Sequence, residues 1–250
     1  MAARGLAHPI VFQAGNGFAN GPGPSGPSER ITKRNKEGII RDATEGDFQK
    51  FGAIMVTPKN FYRLLSTGQA GLLFPGGVRE VFHGKGEEYE LFWPEKVDFI
   101  RMAAKFNTTI VPISAVGAAD SANILLDPEE LLNLPWLGDR LRNSSETTIS
   151  ARFDQSNSDE RFVPPLVVPS VPARHYFVFG QPFDTSDIDP KDKEACADMY
   201  GKVKGELRRG LDDVLVAREH DPFKDFAKRL AVERITGNQA PTFDIEELNK

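Results

Sequence analysis

The chain has a single cysteine, Cys196, so no disulfide can form within it. That usage fits a reducing compartment. Cations are outnumbered, with 31 Lys and Arg against 36 Asp and Glu and a formal net charge of −5. Broad binding to a phosphate backbone needs the opposite balance, so nucleic acid is not expected as a partner. No apolar run approaches the roughly 20 residues that a membrane-spanning helix needs. The best candidate, Ile110 to Ala119, contains Pro112 and Gly117 and reads as a buried strand with its exit. The opening residues, Met1 to Phe12, have neither a secretory apolar core nor an Arg/Ser-rich transit composition. One cysteine and four scattered histidines give no metal-ligand spacing, and no bound metal is expected. His8, His175 and His220 stand in no ligating context. The Gly-x-Ser-x-Gly nucleophile elbow is missing, which removes the usual serine-hydrolase signature. No Walker loop or dinucleotide fingerprint occurs either.

What is present is ordinary globular composition, 40% apolar and 27% charged over 250 residues. That suffices for one large α/β domain with a real core. Pro9 to Gln13 reads as a strand. Residues 14–47 read as a flexible loop, first rich in Gly, Pro and Ser and then basic, with Lys33, Arg34, Lys36 and Arg41. The basic stretch is either a solvated surface or a contact for anionic headgroups or a phosphorylated cofactor. Ala53 to Val56 is a candidate strand, and Thr57-Pro58 reads as an N-cap with proline at the first helical position. Phe61, Leu64 and Leu65 share a face of the helix that follows. Leu72 to Phe74 is the next strand. After Pro94 comes a helix with Phe99, Met102, Ala103 and Phe106 inward, stopped by Asn107. Thr109 to Gly117 is a β-branched strand.

Strand–helix–strand units at this spacing predict an α/β fold: a mixed, largely parallel β-sheet flanked by helices. Asp127 to Leu141 reads as Leu-rich helix broken at Pro135, and residues 142–163 as a polar excursion. A late strand, His175 to Gly180, precedes a long helix from Lys191 to Ala217. Met199, Val203 and Leu207 mark the inner stripe of that helix, and Gly205 and Gly210 weaken it. Asp221-Pro222 is expected to start a last helix with Phe223, Phe226, Ala227 and Leu230 facing in.

The chemistry concentrates between Leu72 and Glu95, "LLFPGGVREVFHGKGEEYELFWPE". Pro75 ends the strand because it has no N–H. Gly76 and Gly77 let the backbone approach a ligand closely or take up positive φ. A strand that ends in glycines before a helix gathers N–H groups where a phosphate or a developing oxyanion can sit. Phe74, Pro75, Gly76, Gly77, Arg79 and Glu80 are therefore the candidate substrate-binding residues. Arg79 offers a bidentate cationic fork. Glu80 either accepts a hydrogen bond from a substrate hydroxyl or anchors Arg79. His83 lies three residues beyond Glu80, and on a helix the two would share a face, which makes them a candidate catalytic pair. The alternative is a tight turn with a surface salt bridge and a structural histidine.

"LLFPGGVRE" followed by "GEEYELFWPE" resembles the diacylglycerol acyltransferase-like proteins of plants and algae. These include the phytyl ester synthases, a branch of the glycerolipid acyltransferase superfamily. The similarity runs from "RGLAHPIVF" through "FGAIMVTPKNFYRLL", "FIRMAAKFNTTIVPISAVG" and "ARHYFVFGQPF" to "LAVERITGNQAPTF". It passes over the Gly/Pro loop and the polar excursion. Relatives that use phosphorylated acceptors carry Pro-Glu-Gly where this chain has Pro75-Gly76-Gly77, so Gly76 resembles the neutral-lipid branch.

The resemblance implies an O-acyltransferase. It would move a fatty acyl group from coenzyme A or acyl carrier protein, as donor substrate, to the hydroxyl of diacylglycerol or phytol. No bound cofactor is implied. The implied partners are lipid substrates and the surface of a membrane or lipid droplet, touched peripherally, in the plastid or at plastoglobules. The Trp136 region and the basic stretch near Lys33 are candidate docking elements. The family takes the acceptor proton with the histidine of a His-x4-Asp/Glu motif, upstream of the segment matching "RGLAHPIVF". His8 is followed by Phe12 and Gln13 rather than by such an acid, so no residue here receives that role. The resemblance thus implies a single domain, residues 1–250, incomplete at its N-terminal side. A lipid-binding module without turnover, or a thioesterase using His83 with Glu80, are the other readings.

Overall fold

A computed structural model describes residues 10–14, 57–81, 83–95, 98–143, 149–150, 161–162 and 164–242. The expected loop 14–47, apart from its first residue, and the expected strand at Ala53 to Val56 lie outside them. The central sheet has the order β2-β1-β3-β8, from Ile10–Ala14 (β1), Gly71–Leu73 (β2), Thr108–Val116 (β3) and Tyr176–Phe179 (β8). Ile10 sits opposite both Leu73 of β2 and Pro112 of β3, and Ile113 opposite Phe179 of β8. All these pairings are antiparallel.

The expectation of a largely parallel sheet is therefore corrected, while the mixture of helices and strands stands. The reason is topological. Strands β2 and β3 do run in the same direction, since each is antiparallel to β1. The early strand β1 lies between them, so they never become neighbours. Strand–helix–strand spacing fixes direction and leaves adjacency open.

The helices α1 (Pro58–Ser66), α2 (Gly77–Val81) and α3 (Asp98–Lys105) fall between β2 and its flanking elements in chain order. Thr57 caps α1 as expected: its Oγ1 accepts from the Asn60 N–H at 3.1 Å, and Pro58 opens the first turn. Asn107 ends the α3 segment with φ 48. One face of β3 buries Ile110 and Val116 against Phe99, Ile100 and Ala103 of α3. Against the same face lie Val203, Leu207, Leu211 and Val214 of the long helix α6, Lys193–Glu219 (α4, Pro128–Asn133, and α5, Leu137–Asn143, precede it). Full burial of each such side chain stabilises by roughly 1.5–3 kcal/mol, and this layer is the core. Helix α6 comes so close to β3 that Ser114 Oγ donates to the Leu207 carbonyl at 2.9 Å. A Cβ on Gly210 would stand 2.5 Å from that Oγ, whereas one on Gly205 meets nothing within 4 Å. Only one of the two glycines expected to weaken the helix is a packing requirement.

The opposite face of the sheet carries Leu72, Phe177 and Phe179, all exposed. A separate ribbon pairs Ala122–Leu126 (β4) with Leu166–Pro169 (β7). Within the polar excursion, Ile149–Ser150 (β5) pairs with Arg161–Phe162 (β6). Pro135 separates α4 from α5, as expected, and leaves Trp136 78% exposed with φ 60.

The last helix, α7, spans Phe226–Thr236 rather than starting at Asp221-Pro222. Asp225 caps it, accepting from the Lys228 N–H at 2.9 Å. None of its residues is buried, so the expected inward stripe of Phe226, Ala227 and Leu230 is not realised. Asp221 is engaged elsewhere. Its carboxylate accepts from the Phe223 N–H, the Tyr176 hydroxyl and Arg174, which fixes the turn before a helix can begin. Among the described residues, no helix is long and apolar enough to cross a membrane.

Candidate functional site

Strand β2 runs into a turn in which the Gly77 N–H donates to the Phe74 carbonyl at 3.1 Å. Gly77 has φ 53, in the left-handed region that favours glycine, and it opens α2 directly. The glycine pair thus makes a tight turn, as one of the two readings held. The expected cluster of open N–H groups is not formed at Gly77, because its hydrogen already closes the turn.

Glu80 is buried, 6% exposed, and its Oε1 accepts from the Phe92 N–H at 3.1 Å. The side chain folds back over the turn. A Cβ on Gly76 would lie 1.9 Å from its Cδ and 2.2 Å from its Oε1. Gly76 is therefore needed for what its side chain would displace.

Arg79 meets Glu87. Its Nη1 and Nη2 donate to the two carboxylate oxygens at 2.8 and 2.7 Å, and its guanidinium lies 3.7 Å from the centroid of the Phe92 ring. Bidentate charge-assisted bonds are among the stronger polar contacts a protein makes. Glu87 also accepts from the Gly84 N–H at 2.6 Å. The hydrogen bond from Arg79 holds the Glu87 carboxyl below the usual carboxylate range; burial opposes it and the Gly84 N–H assists. The anchor of Arg79 is thus Glu87, where the sequence suggested Glu80.

His83 is buried, with Nδ1 facing the Gly84 carbonyl at 3.1 Å. That geometry calls for a hydrogen on Nδ1. Helix α2 ends at Val81, so Glu80 and His83 do not stack on a helix face. The candidate pair is not assembled by the helical spacing that suggested it.

The segment from His83 to Glu90 is fastened to the sheet by Tyr89, which has φ 67. Its hydroxyl accepts from the Gly117 N–H at 3.0 Å, just beyond β3, and donates to Asp120 at 2.5 Å. Asp120 is ion-paired with Arg218 of α6. Burial, reinforced by the hydrogen bond to Asp120, raises the Tyr89 phenol to about 12. Lys85 pairs with Glu130 and Arg208 with Glu90 on the outside of the same segment. Sequence reasoning missed Glu87, Tyr89, Phe92, Asp120 and Arg218. A signal for one of them was present: an acid eight residues after Arg79, with Gly84 and Gly86 between, permits the chain to turn back.

The turn, the buried carboxyl and the neutralised arginine stand in a chain that aligns along nearly its whole length with plant ester synthases. Phytyl ester synthase 2, chloroplastic, of Arabidopsis thaliana is 34% identical over 249 residues, which cover 97% of this chain and 32% of that protein. Phytyl ester synthase 1, chloroplastic, of the same plant is 38% identical over 250 residues, 96% of this chain and 32% of that protein. The chain is thus similar to the phytyl ester synthases and spans about a third of their length. No protein-family model and no solved structure matches it.

Proposed function

We propose that the chain carries the acyl-transfer part of an ester synthase. It would move a fatty acyl group from coenzyme A or acyl carrier protein to the hydroxyl of a neutral lipid alcohol, phytol or diacylglycerol. The observation that carries this reading is the identity of 34 and 38% to two phytyl ester synthases along nearly the whole chain. The site agrees chemically. The Glu80 carboxyl, folded over the Phe74–Gly77 turn and 6% exposed, is the group there that would orient an O–H donor once one is admitted. The exposed side chains of Leu72, Phe177 and Phe179 on one sheet face offer apolar surface to long chains. Residues Phe74, Pro75, Gly76, Gly77, Arg79 and Glu80 would frame the acceptor, with Arg79 acting through its fixed geometry. Both named relatives are chloroplastic, so a plastid location is proposed, with peripheral contact at a membrane or plastoglobule surface through exposed Trp136.

The experiment is ester formation by the native protein from its source cells, given radiolabelled acyl-CoA or acyl-carrier protein and phytol or diacylglycerol. Label is expected in phytyl ester or triacylglycerol, and Glu80→Gln should lower that yield. Label recovered as free acid would replace this reading with a thioesterase. Retention of acyl donor without turnover would replace it with a binding module.

A further inference from the structure

We propose that Glu87 is a specificity-determining residue of this site: by closing on Arg79 it withdraws the guanidinium as an anion receptor and excludes phosphorylated acceptors. The inference deepens the acyl-transfer reading and rests on it for the identity of the acceptor. Arg79 lies two residues beyond the Gly76–Gly77 turn, and its side chain is 28% exposed, so small solutes can reach it. An unengaged guanidinium in that place is a planar fork matched to a phosphate monoester. Here both terminal nitrogens give a hydrogen to one carboxylate. The Phe92 ring lies against the guanidinium.

The carboxylate is itself held in place. Glu87 accepts from the Gly84 N–H, and its backbone is fixed by turns in which the Glu87 N–H donates to the Gly84 carbonyl and the Glu90 N–H to the Glu87 carbonyl. Tyr89, two residues on, ties the segment to Gly117 and Asp120. A phosphate would have to displace a preorganised partner that is tethered to its own receptor, and a free anion competes poorly against such an effective concentration.

The test is calorimetric titration of the full chain with phenyl phosphate at a pH where the ester is a dianion. Wild type should show no saturable binding. Glu87→Gln keeps an oxygen for the Gly84 N–H but removes the charge from Arg79. It should bind phenyl phosphate saturably, with a Kd about tenfold or more below the highest concentration at which wild type shows no saturation. The gain should vanish in Arg79→Met/Glu87→Gln. A gain that persists without Arg79, or folded Glu87→Gln with no gain, overturns the proposal. Saturable binding by wild type overturns it without any variant. The titration reads no ester formation, so a chain that fails to make phytyl ester can still pass it, and the two readings fail separately.

Discussion

The Glu80 carboxyl occupies the space in which a side chain on residue 76 would stand, 1.9 Å from where a Cβ would be built. Gly76→Ala must therefore expel Glu80 from its pocket and break its bond to the Phe92 N–H. A cost of roughly 1–3 kcal/mol is expected, the range for unpairing a buried polar group. In a Glu80→Ala background the same alanine should cost little. Denaturant unfolding of the two single variants and the double variant measures the coupling, expected at about 1–3 kcal/mol. Strict additivity would show that Glu80 does not depend on the glycine.

Helix α6 offers a matched pair. Gly205→Ala meets open space and should gain roughly 0.5–1 kcal/mol from helix propensity. Gly210→Ala drives a methyl into Ser114, which bonds the Leu207 carbonyl, and should lose roughly 1–3 kcal/mol through overpacking. Opposite shifts of the urea midpoint are expected. Shifts of the same sign would contradict the close approach of α6 to β3.

Tyr89 predicts a pH dependence. Its phenol is raised to about 12 in the folded chain, against roughly 10 when unfolded. The folded state then holds a proton that the unfolded state releases. Stability from this group is complete below pH 10 or so and is lost as pH rises toward 12. The Tyr176 phenol, buried and bonded to Asp221, is shifted the same way. Tyr89→Phe should flatten the alkaline fall in unfolding free energy and remove one late-titrating phenol from the ultraviolet difference spectrum. An unchanged alkaline slope would show that the phenol is not held as described.

Trp136 is exposed and sits at φ 60, which costs a bulky residue roughly 1 kcal/mol. Trp136→Gly should leave thermal stability equal or slightly higher while reducing co-sedimentation with phosphatidylcholine vesicles. Undiminished vesicle binding would remove Trp136 as the docking element.

Much of the local structure was legible. Thr57-Pro58 signals a cap by chemistry that acts within one turn. Phe99, Ala103, Val203 and Leu207 signal burial by period alone, and all four are buried. The turn at Gly76–Gly77 was legible too. What stayed hidden needed partners distant in the chain. Nothing near β1 says that it enters between β2 and β3. Asp221 reads as a helix start until Arg174 and Tyr176 are brought to it. Likewise Arg79 reads as an open fork, because a bidentate lock is set by the return of the chain at Gly84 and Gly86 rather than by composition.

The placement of β1 has a kinetic consequence. Ile10 pairs with Leu73 on one side and Pro112 on the other. As the chain leaves the ribosome, β1 emerges first among the described strands; one edge can be covered once Leu73 has followed, and the other stays open until residues beyond Pro112 have followed. Such long-range closure slows folding and leaves an unpaired strand available to other chains. Newly made protein should depend on chaperones most strongly before β3 is complete, and far less once β3 has closed over β1.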